Sequence, residues 1–284
     1  MNIALVVDSA SDYLGQEEMI EIITPIEVVP LNVNFIGEDT YLDGTTITHE
    51  EFYEKMRHSK ELPKTSQPAP QKFYDTFKNL LAKGYSVIYL GIASNLSGTF
   101  QSANVAKEMF NEDDQGKLYL IDTETVSAGV IHLLELADQL IQDGLTVEEV
   151  YQKVEERKKD ITGIILLETL ENLRKGGRIS TLQGKVANFL NIKPLLKIQE
   201  GAVETLENFR GKKRGIKKLA EMIQDWREDH EELWIVHSYP SKQVVIETLK
   251  EQFSLDSFKK IRCIKLGSVI GTYASENSIG IIKF

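Results

Sequence analysis

Hydroxyl side chains concentrate in two short polar runs, Pro63-Lys64-Thr65-Ser66-Gln67-Pro68-Ala69-Pro70 and Ser94-Asn95-Leu96-Ser97-Gly98-Thr99-Phe100-Gln101-Ser102-Ala103. Each falls where an extended segment gives way to a helix. The first turn of a helix carries unpaired N–H donors and the positive end of a dipole, so such a junction suits an anion. Side by side, the two junctions would form one pocket of carboxylate or phosphate size. Ser97 is placed to cap the following helix, and Gly98 has no side chain to block a ligand from the backbone. Pro63, Pro68 and Pro70 stiffen the first run, so ordering it around a ligand costs little entropy. Simple capping and turn bonds remain the competing explanation for both runs.

Formal net charge is -10 over 284 residues, which argues against general binding to nucleic acid or membrane surfaces. Against that background Arg210, Lys212, Lys213, Arg214, Lys217 and Lys218 cluster, and Arg174, Lys175 and Arg178 form a second group. Either a local anion or docking site or a solvated helix face would explain them. No apolar run approaches the roughly 18 residues of a membrane span. The start of the chain reads as a first strand rather than a secretion signal. The single Cys263 has no internal disulfide partner, which fits a reducing cytoplasm.

Elements that would position the two runs follow from periodicity. Strands are expected at Ile3–Val7, Val28–Val33, Ser86–Leu90 and Lys117–Ile121, and helices at Thr48–Arg57, Ala69–Lys83, Gly98–Phe110, Ser127–Asp143 and Thr146–Lys159. This alternation predicts a parallel sheet with crossover helices, and ligands of open α/β sheets bind at the carboxyl ends of strands. The pattern changes near Asp160, giving expected domains at 1–160 and 161–284. In the second, strands are expected at Ile161–Leu167, Leu233–His237 and Ile261–Lys265. Ile192–Ile198 and Val203–Asn208 should form a hairpin about Glu200-Gly201. Helices are expected at Leu170–Lys175, Leu182–Leu190, Gly215–Asp229 and Ser241–Phe253. The fold class is thus two-domain α/β.

The common signatures of nucleotide, metal and hydrolase chemistry are missing: G-x-G-x-x-G, a Walker A loop, H-E-x-x-H, Cys/His metal spacing and a G-x-S-x-G elbow. Asp8, Asp12, Asp43 and Asp122 at strand ends read as turn and cap residues. His237 could face the cleft but reads more readily as a structural histidine.

The ordered set of motifs resembles the DegV family. It comprises Asp8-Ser9-Ala10-Ser11-Asp12, Val29-Pro30-Leu31, Asp43-Gly44, the two polar runs, Leu173-Arg174-Lys175-Gly176-Gly177-Arg178-Ile179-Ser180, Leu190-Asn191-Ile192-Lys193-Pro194-Leu195-Leu196, and Arg210 with Lys213-Arg214. The resemblance implies an N-terminal Rossmann-like parallel-sheet domain carrying carboxylate-binding loops. A C-terminal α/β domain with a mixed sheet would cover an acyl tunnel. It implies a cytoplasmic protein that binds one long-chain fatty acid, such as palmitate, with no cofactor, no metal and no stable membrane insertion. Some members present the acid to a separate kinase subunit, which makes acyl phosphate. Carried over by motif, Thr65 and Ser97 are the carboxylate ligands, with Ser94, Ser66 and Gly98 secondary. Arg178 would contact the kinase subunit or the developing phosphate, and Arg210 and Arg214 would extend that surface. One turn departs from the family's Gly-x-His-x-Gly-Pro-Gly pattern. Tyr273, Ser275, Glu276 and Asn277 replace its His, second Gly, Pro and last Gly. Tyr273 would still donate a hydrogen bond to the head group, and Glu276 would repel a nearby carboxylate. Alternatives are a small-molecule phosphotransferase of related fold and a lipid-responsive regulatory protein.

Overall fold

The computed structural model describes residues 2–16, 19–183, 192–227, 232–238, 240–251, 255 and 258–284. The first half contains β1 (Ile3–Asp8), β2 (Ile26–Val29), β3 (Asn32–Asn34), β4 (Tyr41–Leu42), α1 (His49–His58), β5 (Lys64–Ser66) and α2 (Pro70–Ala82). It continues through β6 (Ser86–Gly91), α3 (Thr99–Glu108), α4 (Glu112–Gln115), β7 (Leu118–Asp122), α5 (Ala128–Gln142) and α6 (Val147–Arg157). Helix starts follow local chemistry. Thr48 with Glu51 and Thr146 with Glu149 form reciprocal capping boxes for α1 and α6. Pro70 opens α2, where its missing N–H costs nothing.

Strands β2-β1-β6-β7 form a parallel sheet in that order. Its core strand β1 is buried along its whole length. Phe73 and Phe77 of α2 cover one face beside Tyr89, and α5 covers the other. The expected strand Val28–Val33 is in fact two. Pro30 has no N–H to continue the ladder, and the Leu31 N–H turns to the Ser9 hydroxyl (3.0 Å). The chain then enters β3, the centre of a small antiparallel sheet β4-β3-β5.

The second half contains β8 (Thr162–Leu166), α7 (Glu171–Lys175), β9 (Leu182–Gln183), β10 (Lys193–Gln199), β11 (Ala202–Phe209) and α8 (Lys212–Arg227). It ends with β12 (Glu232–His237), α9 (Lys242–Lys250), β13 (Lys260–Lys265), α10 (Ser268–Ala274) and β14 (Ile279–Lys283). Among the described residues these strands form one mixed sheet, ordered β13-β12-β14-β8-β10-β11-β9. The β10–β11 hairpin turns at Glu200 (φ 50°) and Gly201 (φ 71°). Two successive left-handed residues match the right-handed twist of the strands. The helix expected at Leu182–Leu190 is corrected at its start: Leu182 and Gln183 pair with β11 as a short parallel strand. Its remainder lies outside the described residues, as do Leu190, Asn191, Asp229 and Phe253.

Alternation along these strands divides the sheet into two faces. Ile164, Leu166, Leu195, Ile235 and Ile281 join one core, with Leu219 of α8 and Val245 of α9. Ile165, Leu196, Val203, Val236 and Ile282 belong to a second core shared with α5 of the first half. Polar bonds join the halves around α10. The Gly267 N–H donates to Asp12 (2.9 Å), the Ser268 N–H to Asp43 (3.1 Å), and the Tyr53 hydroxyl to the Leu266 carbonyl (2.9 Å). Beside this hinge of contacts, α10 carries Tyr273 to the edge of the space between the sheets. The protein is therefore α/β, with a parallel sheet and a separate mixed sheet.

Candidate ligand-binding site

A cavity of about 340 Å³ lies between the two halves. One wall is the inner face of the mixed sheet, including Ile165, Leu196, Ile198 and Ile282. The opposing wall carries the polar groups Thr65, Ser66, Gln67, Ser97 and Gly98. Arg178 is the one charged side chain among the described residues that line it. An elongated apolar molecule with a single anionic group matches that distribution.

Two loops meet at the polar side. Thr65 is placed by β5, where it pairs with Val33. Asn32 Nδ2 donates to the Ser66 hydroxyl (3.1 Å) and to the Gln67 carbonyl (3.3 Å), holding the exit from β5. Ser97 lies on the loop from β6 to α3. That loop is anchored at its base by Asp8, which accepts from the Ile92 N–H (2.9 Å) and the Tyr89 hydroxyl (2.8 Å). Burial pushes the Asp8 carboxyl up to about 6, with the Ile92, Tyr89 and Ala10 bonds working against the rise. Gln67 links the loops: its Nε2 donates to the Ser102 hydroxyl on α3 (2.8 Å).

Gly98 lines the cavity and has a further reason to be glycine. A Cβ there would lie 1.8 Å from Gln67 Oε1, so the missing side chain also makes room for Gln67 to cross. Gly98 is also the residue that precedes α3, with no side-chain cap. Ser97 sits one position earlier, and its hydroxyl accepts from the Thr99 N–H (3.3 Å) and bonds the Thr99 hydroxyl (2.8 Å).

Arg178 arrives through a helix stop. Gly177 is left-handed (φ 76°). The Arg178 N–H donates to the Leu173 carbonyl (2.8 Å) and the Gly177 N–H to the Arg174 carbonyl (3.2 Å). These are the two bonds of a Schellman motif. The motif turns the chain so that the guanidinium lies over the Tyr273 ring, 5.0 Å from its centroid. Arg178 Nη1 also donates to the Gly176 carbonyl (2.9 Å). The Tyr273 and Thr65 hydroxyls are 2.6 Å apart.

Thr65, Ser66, Ser97, Gly98, Arg178 and Tyr273 therefore line one space. Ser94 does not: it is exposed, and its N–H donates to Asp122 (3.2 Å). Arg210 and Arg214 are exposed around the turn from β11 into α8 and do not line the cavity. Glu276 also departs from expectation. It pairs with Arg57 of α1 (3.1 Å) and lines a separate hollow rather than the cavity. His237 lines another hollow with His49 and Cys263, apart from the cavity. Among the described residues no cluster of His, Cys, Asp or Glu could hold a metal ion. None of their helices is long and apolar enough to cross a membrane. Sequence reasoning passed over Gln67 as a bridge and the apolar sheet face as a wall. The second had a signal in the alternation of Gly163, Ile165 and Leu167; the first had none, because its partner is 35 positions away.

A family model described as "Uncharacterised protein, DegV family" matches residues 2–284. The chain belongs to the DegV family. A DegV domain-containing protein of Clostridium perfringens is 35% identical over 221 residues, 78% of this chain and 77% of that protein. Among solved structures, a fatty-acid-binding DegV family protein from Thermus thermophilus superposes with a TM-score of 0.83 at 30% identity, covering 100% of this chain and 99% of that one. The Streptococcus pneumoniae fatty acid kinase B3 protein, loaded with linoleic acid, gives 0.80 at 25% identity, again over 100% and 99%. Both neighbours bind a fatty acid, the pneumococcal one being a fatty acid kinase B3 protein.

Proposed function

We propose that this DegV protein binds one long-chain fatty acid, such as palmitate, in the cytoplasm. It presents the acid's carboxylate to a separate kinase subunit and catalyses nothing on its own chain. The observation that carries this reading is the cavity, apolar along the mixed sheet and edged by hydroxyls with one arginine. In the reading, residues 1–160 supply the carboxylate loops and residues 161–284 cover the acyl tail. Thr65 and Ser97 donate to the carboxylate, with Ser66 beside them. Hydroxyls bond an anion without a salt bridge, so the head group stays available for later chemistry. Burying the tail contributes roughly 0.8 kcal/mol per CH₂ before ordering costs. Arg178, with its planar fork of donors, meets the developing phosphate or the partner subunit. Arg210 and Arg214, exposed nearer α8, extend the docking surface.

The decisive experiment denatures the purified protein and identifies released lipids by mass spectrometry. A long-chain fatty acid in near-stoichiometric amount is expected. The reading fails if none is released and none binds on addition. Acyl phosphate should then form only when a kinase subunit and ATP are supplied together.

A further inference from the structure

A second space, about 580 Å³, adjoins the cavity on its outer side. Lys60, Lys64, Lys175 and Arg178 line it, against the single acid Glu61. Thr65, Arg178 and Tyr273 line both spaces. These three side chains thus form the wall that separates an apolar interior from a basic exterior. They also hold one another: the Thr65 and Tyr273 hydroxyls are bonded, and the Arg178 guanidinium stacks on the Tyr273 ring.

The backbone on both sides of Tyr273 is fixed. Asn172 Nδ2 donates to the Thr272 carbonyl (2.8 Å), and the Ser238 hydroxyl donates to the Ser275 carbonyl (2.6 Å). The ring rests on Gly176 at the end of α7, where a Cβ would come within 2.4 Å of Cε1. Opening at this point would thus require rotation of the side chain rather than movement of α10. Among the described residues its polar hold is one hydroxyl bond and one stacked cation.

We propose that Tyr273 is a latch on the cavity mouth. Closed, it shuts the interior from the basic groove; swung aside, it exposes the acid's head group. This rests on the fatty-acid reading and adds to it a means of controlling exchange. The bond to Thr65 gives the latch a second effect. A hydroxyl has one proton and two acceptor positions. With the Tyr273 hydroxyl donating to Thr65, the Thr65 proton is left to point at the carboxylate. Tyr273 is then a positioning residue that acts through Thr65, and the acid's presence favours the closed latch.

The test is stopped-flow transfer of a fluorescent fatty acid, cis-parinaric acid, from the full-length protein to phosphatidylcholine vesicles. Tyr273→Phe keeps the ring and deletes the bond; its release rate should rise several-fold, in line with one lost hydrogen bond. Tyr273→Ala should raise both uptake and release by more than tenfold, with affinity changing less than either rate. Thermal stability of both variants should stay within a few degrees of the parent, which separates a latch from a general loss of packing. In a Thr65→Val background, Tyr273→Phe should have no further effect on release. Release at the parent rate in both Tyr273 variants would overturn the latch while leaving acid binding intact. If the parent protein takes up no probe at all, the fatty-acid reading falls and the latch with it.

Discussion

Thr65 and Ser97 reach the cavity with different hydrogen-bonding commitments. The Thr65 hydroxyl is engaged by Tyr273, and that of Ser97 by Thr99 at the start of α3. If the Thr99 groups both donate, the Ser97 proton is spare for an anion. Bonds to a charged acceptor contribute about 1.5–3 kcal/mol each. Thr65→Val and Ser97→Ala should each weaken binding of a long-chain acid by roughly ten- to a hundredfold. Fluorescence titration measures this, and unchanged affinity would remove either residue from the site. Both line the cavity; the local signal of a polar run at a helix start left capping open, and the family resemblance singled them out. Ser94 carries the same local signal yet faces outward, and Glu276 turns to Arg57. Which of several neighbouring polar groups points inward depends on the fold, not on spacing.

At the scale of elements, long periodic segments were legible, and so were the short α7 and the β10–β11 hairpin, but not every short element. The expected helix Thr146–Lys159 and the observed α6 differ by two residues at its end. Helix α10 and strand β14 were not anticipated, although α10 delivers Tyr273. Seven residues containing a mid-helix glycine give little periodicity, and α10 is held instead by Asp12 and Asp43, more than 200 positions away. The turn after α10 keeps a demanding backbone with side chains attached. Ser275 sits at φ 65° and ψ 171°, a region that glycine occupies freely and other residues enter at a cost of about 1–3 kcal/mol. Ser238 pins this turn by donating to the Ser275 carbonyl and accepting from the Ser278 N–H (2.8 Å). Ser275→Gly should therefore stabilise the protein by about 1 kcal/mol after the entropy glycine brings to the unfolded chain. Denaturant unfolding decides it, and a loss of stability would show that the turn is not strained.

For the whole molecule, buried titratable groups oppose one another. Burial raises the Asp8 carboxyl from 3.8 to about 6, and raises Asp12 and Asp43 in the same direction. Folded Asp8 thus holds a proton that the unfolded chain has released, so its contribution is lost as pH climbs from about 4 to 6. His132 behaves the other way. Burial first, then the Arg157 charge, lowers it from 6.5 to about 4, and its ring stacks on Phe284 with centroids 4.0 Å apart. Its contribution is present above pH 6.5 and lost as pH falls towards 4. Each effect is on the order of 3 kcal/mol. Between pH 4 and 6.5 the carboxylates outnumber the imidazole, so stability should fall as pH rises. The fall should be shallower in Asp8→Asn and steeper in His132→Phe. Urea unfolding across this range tests the order of the three slopes, and a reversed order would mean other groups dominate. The change of pattern near Asp160 coincides with the start of β8, the first strand of the mixed sheet. An acyl cavity was anticipated only through the family resemblance, because it is made by faces from distant segments.

Strand β14 follows every other strand of the mixed sheet in sequence, yet it lies between β12 and β8 and bonds to both. Gly280 lets it come close: a Cβ there would be 2.4 Å from the Ile164 carbonyl oxygen. As the polypeptide emerges from a ribosome, the pair β12–β13 and the group β8–β10–β11 are both available before the strand that joins them. The wall lining the cavity is therefore complete only once β14 is inserted between its two parts.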